Sequence, residues 1–265
     1  MERIRNKGNS SLLFKLADKV GNAQSVGSRV TAGPVAPSCI NVVPMSIAMD
    51  PLELSHPASV NVVPETVVMT PTKRNELIAV EDEDVFRANA TTERIVVKSG
   101  LCNDPDIVEW DLTVYAKLRE LIVGSGCLQY VRGLCLKGFR GLERVVVNDD
   151  CFTESEGSFE VSDCKRLKSI VIGSGCCLSW SSFVMSNCGA SLCFGDGCFS
   201  LSGDGSFEVT NCKGMSTLKM GSGCCANWSS FTLSNCGVSE VIVDGECFVS
   251  CRSVVFESER WCVVS

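Results

Sequence analysis

Apolar and polar residues alternate in a pattern that recurs about every 24 residues from residue 92 onward. Most units contain the triplet L-x-x-I-x-I, a turn rich in glycine, aspartate or asparagine, and then a cysteine, as in Leu167, Ile170, Ile172 and Cys176. One unit has only Leu192 and Phe194 of the triplet, and a weaker first unit runs from Ile95 and Val97 to Leu101. The cysteines that close the units follow one another at intervals of 24, 25, 22, 26 and 23 residues and are Cys127, Cys151, Cys176, Cys198, Cys224 and Cys247. About seven units of this period are typical of a repeat solenoid.

In each unit, a second apolar triplet precedes the first. Phe159, Val161 and Cys164 form one such triplet. Its apolar residues recur with period two, which indicates a short strand with one buried face. We therefore predict a mainly β solenoid of about seven coils with two short strands per coil. Because long and short intervals alternate, the coils are predicted to pair into units of about 48 residues. Residues 114–121 are the best candidate for a helix.

The composition changes near residue 90, which predicts two regions. Seven of the eight prolines lie at or before Pro71, whereas 17 of the 18 cysteines lie at or after Cys102. We assign residues 1–90 to a low-structure, disordered N-terminal arm and residues 91–265 to a solenoid with end caps. The arm contains a 20-residue repeat around Asn-Val-Val-Pro, and its regularly spaced prolines favour extended segments. This repeat is either part of a tether or a pair of motifs that a partner binds as an added strand.

The combined pattern resembles the BspA-type leucine-rich repeats of bacteria and protists. Residues 164–172 and 212–220 match the C-x-x-L-x-x-I-x-I core of that family, and the resemblance covers about residues 92–257. Glycine stands where the family has proline, at Gly173 and Gly221. The resemblance implies a leucine-rich-repeat solenoid that acts in protein–protein recognition, or in adhesion in secreted members, without shared catalytic residues.

Stacked coils would align the cysteines in two ladders. The first ladder consists of the six unit-closing cysteines, and the second consists of Cys164, Cys188, Cys212 and Cys236. Buried cysteine behaves as a small apolar residue, so we expect both ladders to fill the tight interior at the turns. Disulfides between adjacent coils and a metal site are the alternatives. Since the ladders contain no compact C-x-x-C cluster, we predict no metal and no cofactor.

The residue types argue against an enzyme. His56 is the only histidine and lies in the arm, so the solenoid cannot form a Ser/His or Cys/His nucleophile pair. The Gly-Ser-Gly-Cys turns recur with the coil period and precede no helix, unlike a phosphate-binding loop. Asp149 and Asp150 are the paired carboxylates that a β-helix carbohydrate-active enzyme would need, but a role in the turn is favoured.

The outward positions of the L-x-x-I-x-I strands form a mixed polar and aliphatic ribbon that another protein chain can bind. The candidate partner-binding residues on this ribbon are Arg119, Glu120, Glu143, Arg144, Lys168, Ser169, Thr217, Lys219 and Glu240. Trp180 and Trp228 recur one pair of coils apart and are either plugs in the core or surface anchors for a partner.

Charge and hydropathy narrow the classes of partner. The formal net charge of −7 argues against binding to nucleic acid or to an anionic membrane surface. No run of about 18 apolar residues predicts a membrane span. Because no signal peptide is evident, we expect reduced cysteines and an intracellular, cytoplasmic protein. The leading hypothesis is a non-enzymatic scaffold that binds another protein, and the alternatives are a secreted or cell-surface adhesion module and a β-helix carbohydrate-active enzyme.

Overall fold

The computed structural model describes residues 3–6, 75–87 and 90–257. These residues form fifteen strands and one short 3-10 helix, Asp82–Phe86. The strands are β1 (Arg3–Asn6), β2 (Glu76–Ala79), β3 (Arg94–Val97), β4 (Glu120–Val123), β5 (Gly133–Lys137), β6 (Arg144–Val147), β7 (Ser158–Ser162), β8 (Ser169–Ile172), β9 (Ser182–Ser186), β10 (Ser191–Phe194), β11 (Ser206–Thr210), β12 (Thr217–Met220), β13 (Ser230–Ser234), β14 (Glu240–Val243) and β15 (Ser253–Glu257).

The strands form two parallel sheets that are the walls of a solenoid of about seven turns. Sheet A has nine strands in the order β1-β14-β12-β10-β8-β6-β4-β3-β2, and sheet B has six in the order β15-β13-β11-β9-β7-β5. Equivalent strands of successive coils pair in register, so that Ile170 lies beside Leu192 and Phe183 beside Phe207. Each full coil therefore contributes one strand to each sheet.

In the strands from β3 to β14, alternate residues face the interior and are buried. In sheet A these are residues of the L-x-x-I-x-I triplet, such as Ile170 and Ile172, and in sheet B they are residues such as Phe207 and Val209. Burial of one such side chain contributes about 1.5–3 kcal/mol, but a single coil cannot bury its own apolar face. Stacking of equivalent side chains from coil to coil produces one continuous core.

A column of phenylalanine rings runs along the inner side of sheet B. Successive ring centroids of Phe159, Phe183, Phe207 and Phe231 are 5.4, 4.9 and 5.3 Å apart. The last two pairs are nearly parallel, with interplanar angles of 9° and 3°. Stacked aromatic pairs contribute about 0.5–1.5 kcal/mol beyond their burial, so this column strengthens the contact between successive coils.

The corners between the sheets place several residues in the left-handed backbone conformation. After sheet A, the residues on both sides of a unit-closing cysteine have positive φ, as Gly175 (67°) and Cys177 (55°) do. After sheet B, the residues with positive φ directly before the second-ladder cysteines are Asp163, Asn187, Asn211 and Asn235. Glycine, asparagine and aspartate adopt this conformation most readily, which explains their abundance in the turns.

The N-terminal end of the solenoid is covered by β2 and the 3-10 helix. β2 pairs with β3, and the helix places Val85 in the core. The Asp84 carboxylate accepts the backbone N–H groups of Val80 and Glu81 at 3.0 and 3.1 Å, and the Tyr115 hydroxyl donates to the Val85 carbonyl at 2.9 Å. At the opposite end of sheet A, β1 pairs with β14.

The predicted fold class is confirmed, because the described chain is mainly β with parallel sheets and about seven solenoid turns. The predicted helix at residues 114–121 is wrong, since turns there lead into β4. Its helical spacing arises because Tyr115, Leu118 and Leu121 all enter the core from one corner. The ordered sheets also extend beyond the predicted boundary at residue 90, since β1, β2 and the 3-10 helix precede it. The Asn-Val-Val-Pro repeat and His56 lie outside the described residues.

Candidate functional site

The outer face of sheet A begins with a row of alternating charges. The row occupies the first residue of successive strands and reads Glu76, Arg94, Glu120 and Arg144. Arg94 pairs with both neighbouring glutamates, and its Nε lies 2.7 Å from a Glu120 oxygen, while Arg144 lies 3.3 Å from the other Glu120 oxygen. Opposite charges on adjacent strands thus neutralise one another along this row. Each such partly exposed pair contributes only about 0–1 kcal/mol.

A second row, one residue before the strands, is centred on Glu143. Its Oε2 accepts a hydrogen bond from Lys168 Nζ at 2.7 Å, and its Oε1 accepts one from Arg119 at 2.9 Å. Arg166 approaches the same Oε1 at 3.5 Å. The hydrogen bonds from Lys168 and Arg119 lower the pKa of Glu143 to about 2. One carboxylate is therefore shared by three cations.

A third row on the same face, two residues further along the strands, is mainly aliphatic. It consists of Ile78, Val96, Ile122, Val146, Val171, Cys193, Lys219 and Ile242. Ile122 and Val146 are buried although they lie outside the solenoid core, whereas Val171 and Ile242 are half-buried. The outer face of sheet A therefore carries half-buried apolar side chains beside its charged rows, at Ile78, Val96, Val171 and Ile242.

Hydroxyl groups replace the paired charges in the C-terminal half of sheet A. The row of first strand residues continues with Ser169, Ser191 and Thr217. The Ser191 and Ser216 hydroxyls are 2.8 Å apart, and Ser191 Oγ also accepts the Thr217 backbone N–H at 3.2 Å. Ser169, Ser191 and Thr217 thus place hydroxyls at the strand positions where the N-terminal half carries charged side chains.

A notch of about 460 Å³ opens at the corner where three successive coils enter sheet A. It results from a difference in corner length. Residues 188–192 lead from the second-ladder cysteine to the first inward strand residue, and this corner is two residues shorter than the equivalent corners 164–170 and 212–218. The corner at residues 188–192 therefore extends less far outward than the corners on either side of it, and the space left between them is the notch.

The notch has a cationic wall and a small, polar floor. Its lining residues are Lys165, Arg166, Leu167 and Lys168 on one side, Gly189 and Ser191 from the short corner, and Gly214 and Ser216 on the other side. The coils approach closely here, because a Cβ at Gly214 would come within 3.1 Å of the Gly189 Cα. Lys165 forms no ion pair with the described part of the chain, and Arg166 and Lys168 share Glu143. Positive charge is thus in local excess.

The first cysteine ladder joins successive coils at the corner after sheet A. Each of the six thiols donates to a turn carbonyl of the preceding coil at 2.9–3.0 Å, as Cys176 does to Asn148 and Cys198 to Gly173. Cysteine suits this position because it is small and apolar enough for the interior and still donates a weak hydrogen bond.

The thiols of the second ladder also donate to turn carbonyls. Each sulfur atom lies 3.1–3.5 Å from the carbonyl oxygen of the residue two positions earlier in the chain, as Cys188 Sγ does from the Ser186 oxygen.

All sixteen cysteines in the described residues are free thiols. Burial raises the pKa of Cys102 to about 12 and the pKa of Cys177 and Cys225 well above the usual thiol value. Because the thiolate is the reactive form, these buried thiols are poor nucleophiles.

Trp180 and Trp228 lie in the core, where each is 0% exposed. The Trp180 ring packs on Phe152 at 4.9 Å and the Trp228 ring on Phe199 at 5.0 Å. Trp228 Nε1 donates to Ser202 Oγ at 2.6 Å, whereas Trp180 Nε1 has no hydrogen-bond partner among the described residues. The surface-anchor alternative is therefore wrong for both residues, because each indole fills the interior of a coil beside a phenylalanine of the preceding coil.

Aspartate carboxylates in the turns accept hydrogen bonds from backbone N–H groups of the next coil. Asp149 Oδ1 accepts the Ser174 backbone N–H at 2.8 Å, and Asp196 Oδ1 accepts the Ser222 backbone N–H at 2.8 Å. Across the described ranges, no group of three or more histidine, cysteine, aspartate or glutamate side chains is arranged to hold a metal ion.

The predicted partner-binding residues all lie on or beside the outer face of sheet A, apart from the two tryptophans. Those in the ion-paired rows are Arg119, Glu120, Glu143, Arg144 and Lys168, and those in the C-terminal half are Ser169, Thr217, Lys219 and Glu240. The notch was not predicted from the sequence. The sequence feature that indicates it is the 22-residue interval between Cys176 and Cys198, which is the shortest interval between unit-closing cysteines.

We expect Lys168→Gln to raise the pKa of Glu143 from about 2 toward the usual value near 4.3, because the shortest hydrogen bond to this carboxylate is lost. An NMR titration of the Glu143 carboxyl carbon measures this change. Lys165→Gln removes the same charge without removing a contact to Glu143 and is the control. A pKa that stays near 2 in Lys168→Gln contradicts the assignment.

The same pKa predicts how stability depends on pH. Because folding depresses the pKa of Glu143, its contribution to stability is fully present above about pH 4.3 and is lost as the pH falls toward 2. The control and the Lys168→Gln variant should therefore differ most in free energy of unfolding above about pH 4.3, and this difference should disappear as the pH falls toward 2; urea unfolding at a series of pH values measures it.

We expect Cys198→Ala to lower the free energy of unfolding by about 1–3 kcal/mol, since it leaves a small cavity and an unpaired Gly173 carbonyl. Cys135 is exposed on the outer face of sheet B, so Cys135→Ala is the matched control and should stay within about 0.5 kcal/mol of wild type. Urea unfolding measures both. Equal losses in the two variants would contradict a structural role for the ladder.

No protein-family model matches the chain, and no curated protein or solved structure matches it significantly. Within the described ranges, no helix has the length and apolar character that crossing a membrane requires.

Proposed function

We propose that the solenoid is a non-enzymatic scaffold that binds another protein through the outer face of sheet A. The observation that carries this proposal is the aliphatic row, whose half-buried members include Val171 and Ile242. A strip of apolar side chains within polar surroundings is the composition from which protein interfaces are made. The C-terminal half of the face is the binding surface, because its hydroxyls are not engaged in the ion-pair rows.

The outer face of sheet B is a poorer candidate. The first residues of five of its six strands form a row of hydroxyls, which are Ser158, Ser182, Ser206, Ser230 and Ser253. The central outward position of its strands alternates in character, with Glu160 and Glu208 on either side of Val184. Burial of these isolated carboxylates in an interface would carry a desolvation penalty without a continuous apolar area to offset it.

The dimensions of sheet A suit an extended partner segment. The C-terminal half of the aliphatic row runs across β8, β10, β12 and β14, whose spacing of about 4.8 Å makes it roughly 14 Å long. An extended peptide rises about 3.3 Å per residue, so this part of the row can contact a segment of about four residues. Because every coil is fixed by its neighbours, the solenoid presents this ribbon as a preformed surface.

We further propose that the chain is related to BspA-type leucine-rich repeats and that the protein is located inside the cell. The relationship is supported by the coincidence of the L-x-x-I-x-I pattern with the parallel strands of sheet A. The location is supported by the sixteen free thiols in the described part of the chain, which are typical of a reducing compartment.

Two valines allow a matched test of the binding face. Val171 lies at the centre of β8 on the outer face of sheet A, and Val184 lies at the centre of β9 on the outer face of sheet B. Both are half-buried, so aspartate at either position should leave the fold intact. We expect Val171→Asp to weaken binding of a captured partner at least tenfold, while Val184→Asp changes it less than twofold.

The partner is captured with the wild-type chain, and its affinity for each purified variant is then measured by titration. Loss of binding in Val184→Asp but not in Val171→Asp would assign the interface to sheet B and contradict the proposal. Failure of the wild-type chain to retain any protein above the level of a denatured control would contradict the scaffold function itself.

A further inference from the structure

We propose that the notch at Lys165, Arg166 and Lys168 binds carboxylate groups of an acidic segment in the protein partner. This inference rests on the proposed scaffold function and specifies the chemistry of its partner. The notch shares Ser191 with sheet A, so a segment that lies along the C-terminal half of the outer face can place an acidic side chain in it.

The notch carries more positive than negative charge. Three cations lie along one wall, and the only carboxylate that pairs with any of them within the described residues is Glu143. Glu143 is also engaged by Arg119, so it neutralises the wall only in part. A carboxylate that entered the notch would complete the pairing of Lys165 and Arg166 and would gain charge-assisted hydrogen bonds.

The size and polar groups of the notch suit side-chain carboxylates. Its volume of about 460 Å³ accommodates one or two acidic side chains. The Ser191 and Ser216 hydroxyls lie on the floor and the far side and hydrogen-bond to each other, which leaves one hydroxyl hydrogen to donate to an oxygen that faces away from the cationic wall. The glycine pair at Gly189 and Gly214 leaves this floor without side chains that would fill it.

The acidic character of the whole chain makes the site selective. The formal net charge is −7, so an anionic ligand is repelled by most of the surface and is attracted only where cations predominate. A nucleic acid presents charge along a long backbone and needs an extended basic surface. Three cations at one corner instead suit a short cluster of carboxylates in a peptide.

A blocked tetraglutamate peptide tests the notch in the full chain. We expect its addition to shift the backbone amide NMR signals of Gly189, Ser191 and Gly214 in a saturable manner. The double variant Lys165→Gln/Arg166→Gln should weaken binding at least tenfold. The double variant Lys137→Gln/Arg140→Gln removes the same charge at exposed positions near β5 and should change binding less than twofold.

Two outcomes would overturn the proposal. One is equal weakening in both double variants, which would show a diffuse charge effect. The other is binding of inorganic phosphate without binding of tetraglutamate, which would make the notch a phosphate site instead of an acidic-peptide site.

The scaffold proposal and the notch proposal can be contradicted by different results. If a captured partner is lost in Val171→Asp but is bound normally by Lys165→Gln/Arg166→Gln, the notch proposal is wrong while the scaffold proposal stands. If tetraglutamate binds the notch and no partner depends on Val171, the notch is an acidic-peptide site and the assignment of the interface to sheet A is wrong.

Discussion

In-register stacking of the coils is the constraint on which the rest of the structure depends. Each strand of sheets A and B pairs with the equivalent strand of the next coil, so equivalent apolar side chains meet in columns such as that from Phe159 to Phe231. A slip of one residue would turn every inward side chain outward. Differences in coil length must therefore be absorbed at the corners, and the two-residue shortening at residues 188–192 is what opens the notch.

The corners also explain the unusual cysteine content. A corner in this solenoid needs left-handed backbone on one or both sides of a small buried residue, and it leaves a turn carbonyl facing the interior. Cysteine fills the space and donates to that carbonyl, as Cys198 does to Gly173 at 2.9 Å. The same residue type recurs because the same steric and hydrogen-bonding problem recurs in every coil.

The solenoid was predictable because its periodic signals are local and repeated many times. The ion-pair rows were not, since pairing of Arg94 with Glu76 and Glu120 depends on register across three coils. The helix predicted at residues 114–121 shows the limit of periodicity, because the corner before β4 and the first inward residue of that strand reproduce helical spacing in Tyr115, Leu118 and Leu121. The notch was missed for a related reason. A shorter interval between cysteines indicates a deletion but does not say which corner contains it.

The most direct test of the link between coil register and binding is an insertion at the short corner. Two residues, Ser-Gly, placed between Gly189 and Ala190 would give this corner the length of its neighbours and fill the notch without changing the net charge. The measurement is an amide NMR titration of this variant with tetraglutamate. We predict that the signals of both sheets are retained and that peptide binding is lost. Retention of wild-type affinity would show that the notch is not the binding site and would contradict the account.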